Sequence, residues 1–221
     1  MQRTALTALV GLLVVSAGCT GLITGDSVEF TANEASVGDS ALDSTGYEGQ
    51  NSSEQTIERE VSVGGQERTV RITNHYAVYA RSGNVGESTD GNVSGVEAPD
   101  VAQFVVISTP GAQMAGQTLN PLARLSNRQL IDRVADRTGG IEDVEFVENR
   151  TVDSLDGERD VGVFNGTTNL NGQEVDVQIH VTSFEHEGDV IVAVGVHPVQ
   201  IDEEENIDEL LVGLEHSGSD S

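Results

Sequence analysis

The chain has no lysine, and cysteine occurs once in 221 residues. All formal positive charge is therefore carried by eleven arginines, set against 37 acidic residues for a net charge of -26. Nucleic-acid binding needs clustered positive charge to displace counterions from phosphates, and this excess of acid opposes it. Adsorption to anionic lipid headgroups is disfavoured on the same ground. A single cysteine rules out a disulfide framework and any paired-cysteine zinc pattern. Also missing are a Walker loop, a GxGxxG after a strand, an HExxH helix and a GxSxG elbow. No catalytic residue, cofactor or metal ligand is assigned from motifs.

Such an acidity would destabilise a compact domain by self-repulsion at moderate salt. It makes sense where salt shortens the Debye length to about 3 Å or less, so the composition reads as halophilic adaptation. Intrinsic disorder is the rival explanation of high net charge. The 37% of hydrophobic residues and several clear strand patterns oppose it.

The N-terminus carries an export signal: Arg3, an apolar run from Ala5 to Val15, then Ser16-Ala17-Gly18 ahead of Cys19. A membrane-spanning helix needs about 20 apolar residues, and this run is half that, so cleavage is favoured over permanent insertion. The small residues before the lone cysteine make a lipobox, in which Cys19 is cut free and lipidated. With that sulfur modified, the mature chain has no thiolate nucleophile. One acyl chain holds a protein only weakly, so stable anchoring requires a two-chain lipid. Gln2-Arg3 is not a twin-arginine pair, and the general secretory or an atypical twin-arginine route both fit. The expected organisation is a signal over 1–18, a lipidated tether over 19–27, one α+β domain over 28–217 and a tail over 218–221. The expected place is the extracellular face of the cell membrane.

Together with the absence of lysine and the lipobox, five short motifs carry a resemblance: Phe30-Thr31-Ala32, Thr45-Gly46-Tyr47, Thr73-Asn74, Ser108-Thr109-Pro110 and Asn120-Pro121-Leu122. On these the chain is similar to a family of uncharacterised lipoproteins from haloarchaea. The resemblance implies lipidation at Cys19 and brings no activity or catalytic residue.

Along the chain, Val28 to Ala32 reads as a strand, Ser36 to Thr45 as a short helix stopping at Gly46, and Gln50 to Gln55 as polar loop. Glu58 to Val63 and Arg68 to Ala80 form a hairpin around Gly64-Gly65. Arg81 to Pro99 has no period and reads as a long surface loop. Phe104 to Ile107 is a continuous apolar run, expected to be buried on both faces. Ser126 and Gln129 form a capping box for a helix reaching Arg137, with Leu130, Ile131, Val134 and Ala135 inward. Arg124, Arg128, Arg133 and Arg137 suggest either an anion site or a solvent face of ion pairs such as Arg128 with Asp132. Four strands follow, Val144 to Val152, Arg159 to Thr167, Gln173 to Phe184 and Val190 to His197. They turn at Asp156-Gly157, Asn171-Gly172 and Gly188-Asp189. Val190 to Val196 should be central. Asp202 to His216 closes the chain as a helix with Ile207, Leu210, Leu211 and Leu214 on one face. The fold class is α+β, an antiparallel meander sheet with two or three helices on one face, similar in outline to PsbP-like or Mog1-like folds.

Chemistry is sparse. The histidines are scattered, although His180 and His186 could converge on a metal with Glu185, Glu187 or Asp189. The competing reading makes them polar residues at strand ends. Asp153, Asp156, Glu158 and Asp160 read as a solvated acidic turn rather than a calcium loop, and Asp202 to Glu205 as a helix start. Four N-x-S/T sequons occur, at Asn51, Asn92, Asn149 and Asn165, of which Asn51 and Asn92 are favoured for glycosylation as loop sites. The expected function is a lipid-anchored binding or scaffold module of the envelope with a protein partner there and no catalysis of its own. The alternatives are a small metal-dependent or hydrolytic enzyme using His180 or His186, and a solute-capturing lipoprotein.

Overall fold

The structure is a computed structural model, and it describes residues 27–63, 66–85, 88–89, 92–93, 96–114, 117–118, 120, 125–131, 140–170 and 173–217. The expected signal, Cys19, Asn171-Gly172 and the second half of the helix expected up to Arg137 lie outside the described residues.

The chain runs through β1 (Val28–Thr31), β2 (Ala35–Val37), α1 (Asp39–Thr45), β3 (Glu48–Val63) and β4 (Gln66–Val85). Next come β5 (Ser88–Thr89), β6 (Asn92–Val93), β7 (Val96–Pro110), β8 (Gln113–Met114) and β9 (Gln117–Thr118). After a helical turn at 127–131 follow β10 (Ile141–Ser154), β11 (Gly157–Leu170), β12 (Gln173–His186) and β13 (Asp189–Pro198). The chain closes with α2 (Glu204–Val212) and β14 (Leu214–His216). Strand dominates and helix is minor.

Eight strands form one sheet in the order β1-β4-β7-β13-β12-β11-β10, with β3 also paired to β4. The expected meander is present as β10 to β13, paired antiparallel throughout. The sheet is nevertheless mixed, because β1 lies parallel to β4, Val28 opposite Val70. β13 sits between β12 and β7, and nine of its ten residues are buried, which fits a strand apolar on both sides.

That double burial sets the layers. On one face Ile191 and Ala193 pack with Phe104, Val106, Ala41 of α1, and Ile207, Leu210 and Leu211 of α2. On the other, Val190, Val192 and Val194 pack with Ile179, Val181, Phe164, and Leu130 and Ile131 of the helical turn. The helices therefore cover both faces, not one, since a central strand with two apolar faces needs a cover on each. Gly195 lets α2 settle onto the sheet: a Cβ there would stand 2.7 Å from Ile207 Cδ1.

Several boundaries differ from the sequence reading. Residues 50 to 55 belong to β3, and the loop expected over 81–99 is largely ladder, with Gly83 opposite Ala98 and Val85 opposite Val96. Between residues 51 and 60 of β3 all but Ile57 are exposed, so the strand buries neither face and leaves no period to read. Ala35–Val37 and Leu214–His216 pair with each other instead of extending the two helices. Gly213 ends α2, yet Leu214 stays in the core. Both described meander turns fall one residue earlier than expected. Leu155-Asp156 and Glu187-Gly188 have φ of 44°, 60°, 48° and 88°, the left-handed pair of a type I′ turn. Among the described residues, no helix is long and apolar enough to cross a membrane.

Candidate functional site

His180 and His186 do not converge. They are six residues apart on one strand, about 20 Å at strand rise. Each instead has a partner that distance along the sequence conceals.

His180 stacks on His197 from β13, with Nε2 to Nε2 at 3.0 Å and rings 19° apart. The Pro198 carbonyl, 3.0 Å from His197 Nδ1, can only accept, so His197 carries its proton on Nδ1 and His180 donates between the rings. Burial, then Arg150 and His197, push the His180 ring down to about 3. Burial also lowers His197, opposed by its bond to Pro198. This pair is neutral, internal and structural.

A second polar group pins α2 to the sheet. Glu203 is fully buried, pairs with Arg81, and accepts from Tyr47 Oη at 3.2 Å and Asn206 Nδ2 at 3.0 Å. Burial, then the Glu203 carboxylate, push the Tyr47 phenol far above its usual range. Arg150 reaches Asp208 at 2.5 Å. Part of the acidic start at Asp202 to Glu205 is thus interior, because Arg81 on β4 supplies a counter-charge.

The third group lies where the β12–β13 turn meets β14. Asp189 Oδ2 accepts from Asn33 N at 2.8 Å, Asn33 Nδ2 at 3.1 Å and His216 Nε2 at 3.1 Å. The His216 side chain is fully enclosed. Its Nδ1 faces Glu187 Oε2 at 3.6 Å, and His186 meets its ring edge-on at 5.3 Å. A cleft of about 350 Å³ opens beside them, lined by Phe30, Thr31, Asn33 and Pro110 among others, with Glu187 and Asp189 on its wall. The Gly111 N–H donates to Gly188 O at 2.9 Å and ties the end of β7 to this turn. Sequence reasoning named His186, Glu187 and Asp189 but missed His216 and Asn33. Asp189 and Asn33 are 156 positions apart, and Asn33 directly follows the parallel β1, while His216 arrives with β14 paired to β2.

The remaining candidates are dispersed. Asn51 lies exposed on β3, an edge strand and not a loop, while Asn92 lies on β6 with its side chain outside the described residues. Asn149 and Asn165 are exposed on strands. Asp153, Asp156, Glu158 and Asp160 are exposed around the β10–β11 turn, and Arg128 donates to Val144 O at 2.8 Å. The capping box forms, Ser126 N donating to Gln129 Oε1 at 3.0 Å. Three of the short motifs meet inside the body: Thr109 Oγ1 donates to Asn74 Oδ1 at 2.5 Å and accepts from Asn120 Nδ2 at 2.8 Å.

Among solved structures, the chain is similar to a point mutant of protein Mog1, at 14% identity and a TM-score of 0.38 over 74% of this chain and 97% of that one. No curated protein matches the chain. A family model does match, across residues 34–215, and its description is a domain of unknown function, DUF6517. With most of its length inside that match, the chain belongs to the DUF6517 family.

Proposed function

We propose that this chain is a lipid-anchored, outward-facing binding module of the cell envelope, with no catalysis of its own. In this reading the family membership extends to lipoproteins of haloarchaeal envelopes, on the strength of the acidity, the missing lysine and the Ala17-Gly18-Cys19 lipobox. The observation that carries binding is the cleft beside Asn33, Asp189 and His216, where organised polar groups border an open space. His180 is instead taken up by His197, and Glu203 by Arg81, Tyr47 and Asn206. Of the two histidines offered to the enzyme alternative, His180 is locked into the core with His197, while His186 lies beside Glu187 and His216.

The anchor holds the acidic body in salt-rich medium, where its charge is screened. Two measurements on native membranes test this. The Cys19→Ser variant should leave the membrane fraction for the soluble one, and retention would count against the anchor. A pull-down with the full chain at high salt should recover a partner or ligand that an Asn33→Ala variant recovers less well. Recovery of neither would count against the binding role.

A further inference from the structure

We propose that His186, Glu187 and His216 form a site for one divalent transition cation of the Zn²⁺ class, with Asp189 positioning His216. It shares the cleft-side cluster with the binding role above but does not depend on the lipid anchor. One ligand atom from each of the three residues lies within 4.8 Å of the others. A triangle of that size has its centre at most about 2.8 Å from each corner, roughly 0.7 Å beyond a zinc–nitrogen bond. Side-chain rotation at His186 and Glu187, both on the open side of the cluster, closes that gap.

The enclosed histidine supplies the independent argument. A carboxylate only accepts, so in a ring carrying one proton Asp189 places that proton on Nε2 and leaves a lone pair on Nδ1. That Nδ1 is buried and has no hydrogen-bond partner among the described residues. An unsatisfied buried acceptor is destabilising, and a metal ion is a partner that a lone pair there suits. Histidine ligands commonly donate their second nitrogen to a carboxylate, which sets the tautomer and strengthens the ligand. Asp189 is in turn held by both nitrogens of Asn33.

Glu187 points the same way. It occupies a left-handed turn position at φ 48°, where asparagine or glycine is the easier choice. The matching residue of the other described turn, Leu155, packs against the core, whereas Glu187 is exposed and brings its carboxylate to 3.6 Å from His216 Nδ1. Two imidazoles and one carboxylate select a first-row transition ion over Mg²⁺ or Ca²⁺, which favour all-oxygen sets. Three protein ligands leave a fourth position, which the neighbouring cleft makes reachable by water or a small anionic ligand.

The test is a titration of the purified full chain with Zn²⁺, and separately with Co²⁺, in concentrated potassium chloride with excess Mg²⁺. The expected result is one saturable equivalent, with a Co²⁺ visible spectrum of nitrogen–oxygen coordination. Glu187→Gln and His186→Gln lie outside the core clusters and should fold normally, each weakening Zn²⁺ at least about tenfold. Asp189→Asn should weaken it about tenfold and keep the stoichiometry. Loose binding that excess Mg²⁺ abolishes, or Zn²⁺ affinity unchanged in both the Glu187 and His186 variants, would overturn the site. Membrane release of the Cys19 variant is read separately, so failure of the metal site and failure of the anchor are distinguishable.

Discussion

His180 and His197 face each other Nε2 to Nε2 at 3.0 Å, and both residues are buried. Their consequence is a pH dependence of folding. The folded pKa of His180 is depressed from 6.5 to about 3, so between those values the unfolded chain binds a proton that the folded chain refuses. Stability should therefore be full above pH 6.5 and fall as the pH drops toward about 3. Urea unfolding of wild type and His180→Leu, compared across that window at constant high salt, checks it. The variant should show the shallower slope, and parallel slopes would contradict the assignment.

Arg81 and Glu203 predict an asymmetry. Glu203 is wholly buried, while the Arg81 side chain is 29% exposed and can be hydrated when left alone. Arg81→Met strands a buried carboxylate and should cost about 3 kcal/mol or more. Glu203→Gln keeps an acceptor for Tyr47 and should cost less, about 1–2 kcal/mol. Denaturant midpoints at unchanged slope give both numbers, and equal losses would refute the asymmetry.

Gly195 predicts a packing limit. Its missing Cβ would stand 2.7 Å from Ile207 Cδ1, and Ile207 is fully buried. Gly195→Ala should destabilise by about 1–3 kcal/mol through overpacking. Adding Ile207→Val removes the clashing methyl, so the double variant should lose less than the sum of the single changes. Simple additivity would show that α2 shifts freely.

The sequence made the interior easier to read than the surface. Val190 to Val196 is apolar at nearly every position and was legible as the central strand, and Ser126 with Gln129 announced its cap. Leu210 and Leu211 marked the buried side of α2 by their spacing from Ile207. The exposed stretch Ser52 to Thr56 was illegible as strand because it buries no apolar side chain, and its pairing with β4 rests on the backbone ladder and on polar contacts such as Thr56 Oγ1 with Thr73 Oγ1 at 2.9 Å. The parallel pairing of Phe30 with Ile72 depends on a long-range return that no local pattern encodes. The same holds for the candidate site: the His-Glu-Gly-Asp run at 186–189 is visible, but His216 reaches it through the pairing of β14 with β2.

The proposed thioether at Cys19 would hold a folded acidic body at a membrane, and intact-mass analysis of native protein addresses that most directly. The expected result is a chain beginning at Cys19 and carrying a two-chain lipid on its sulfur. A mass that retains residues 1–18, or a cleaved chain with an unmodified Cys19, would contradict it.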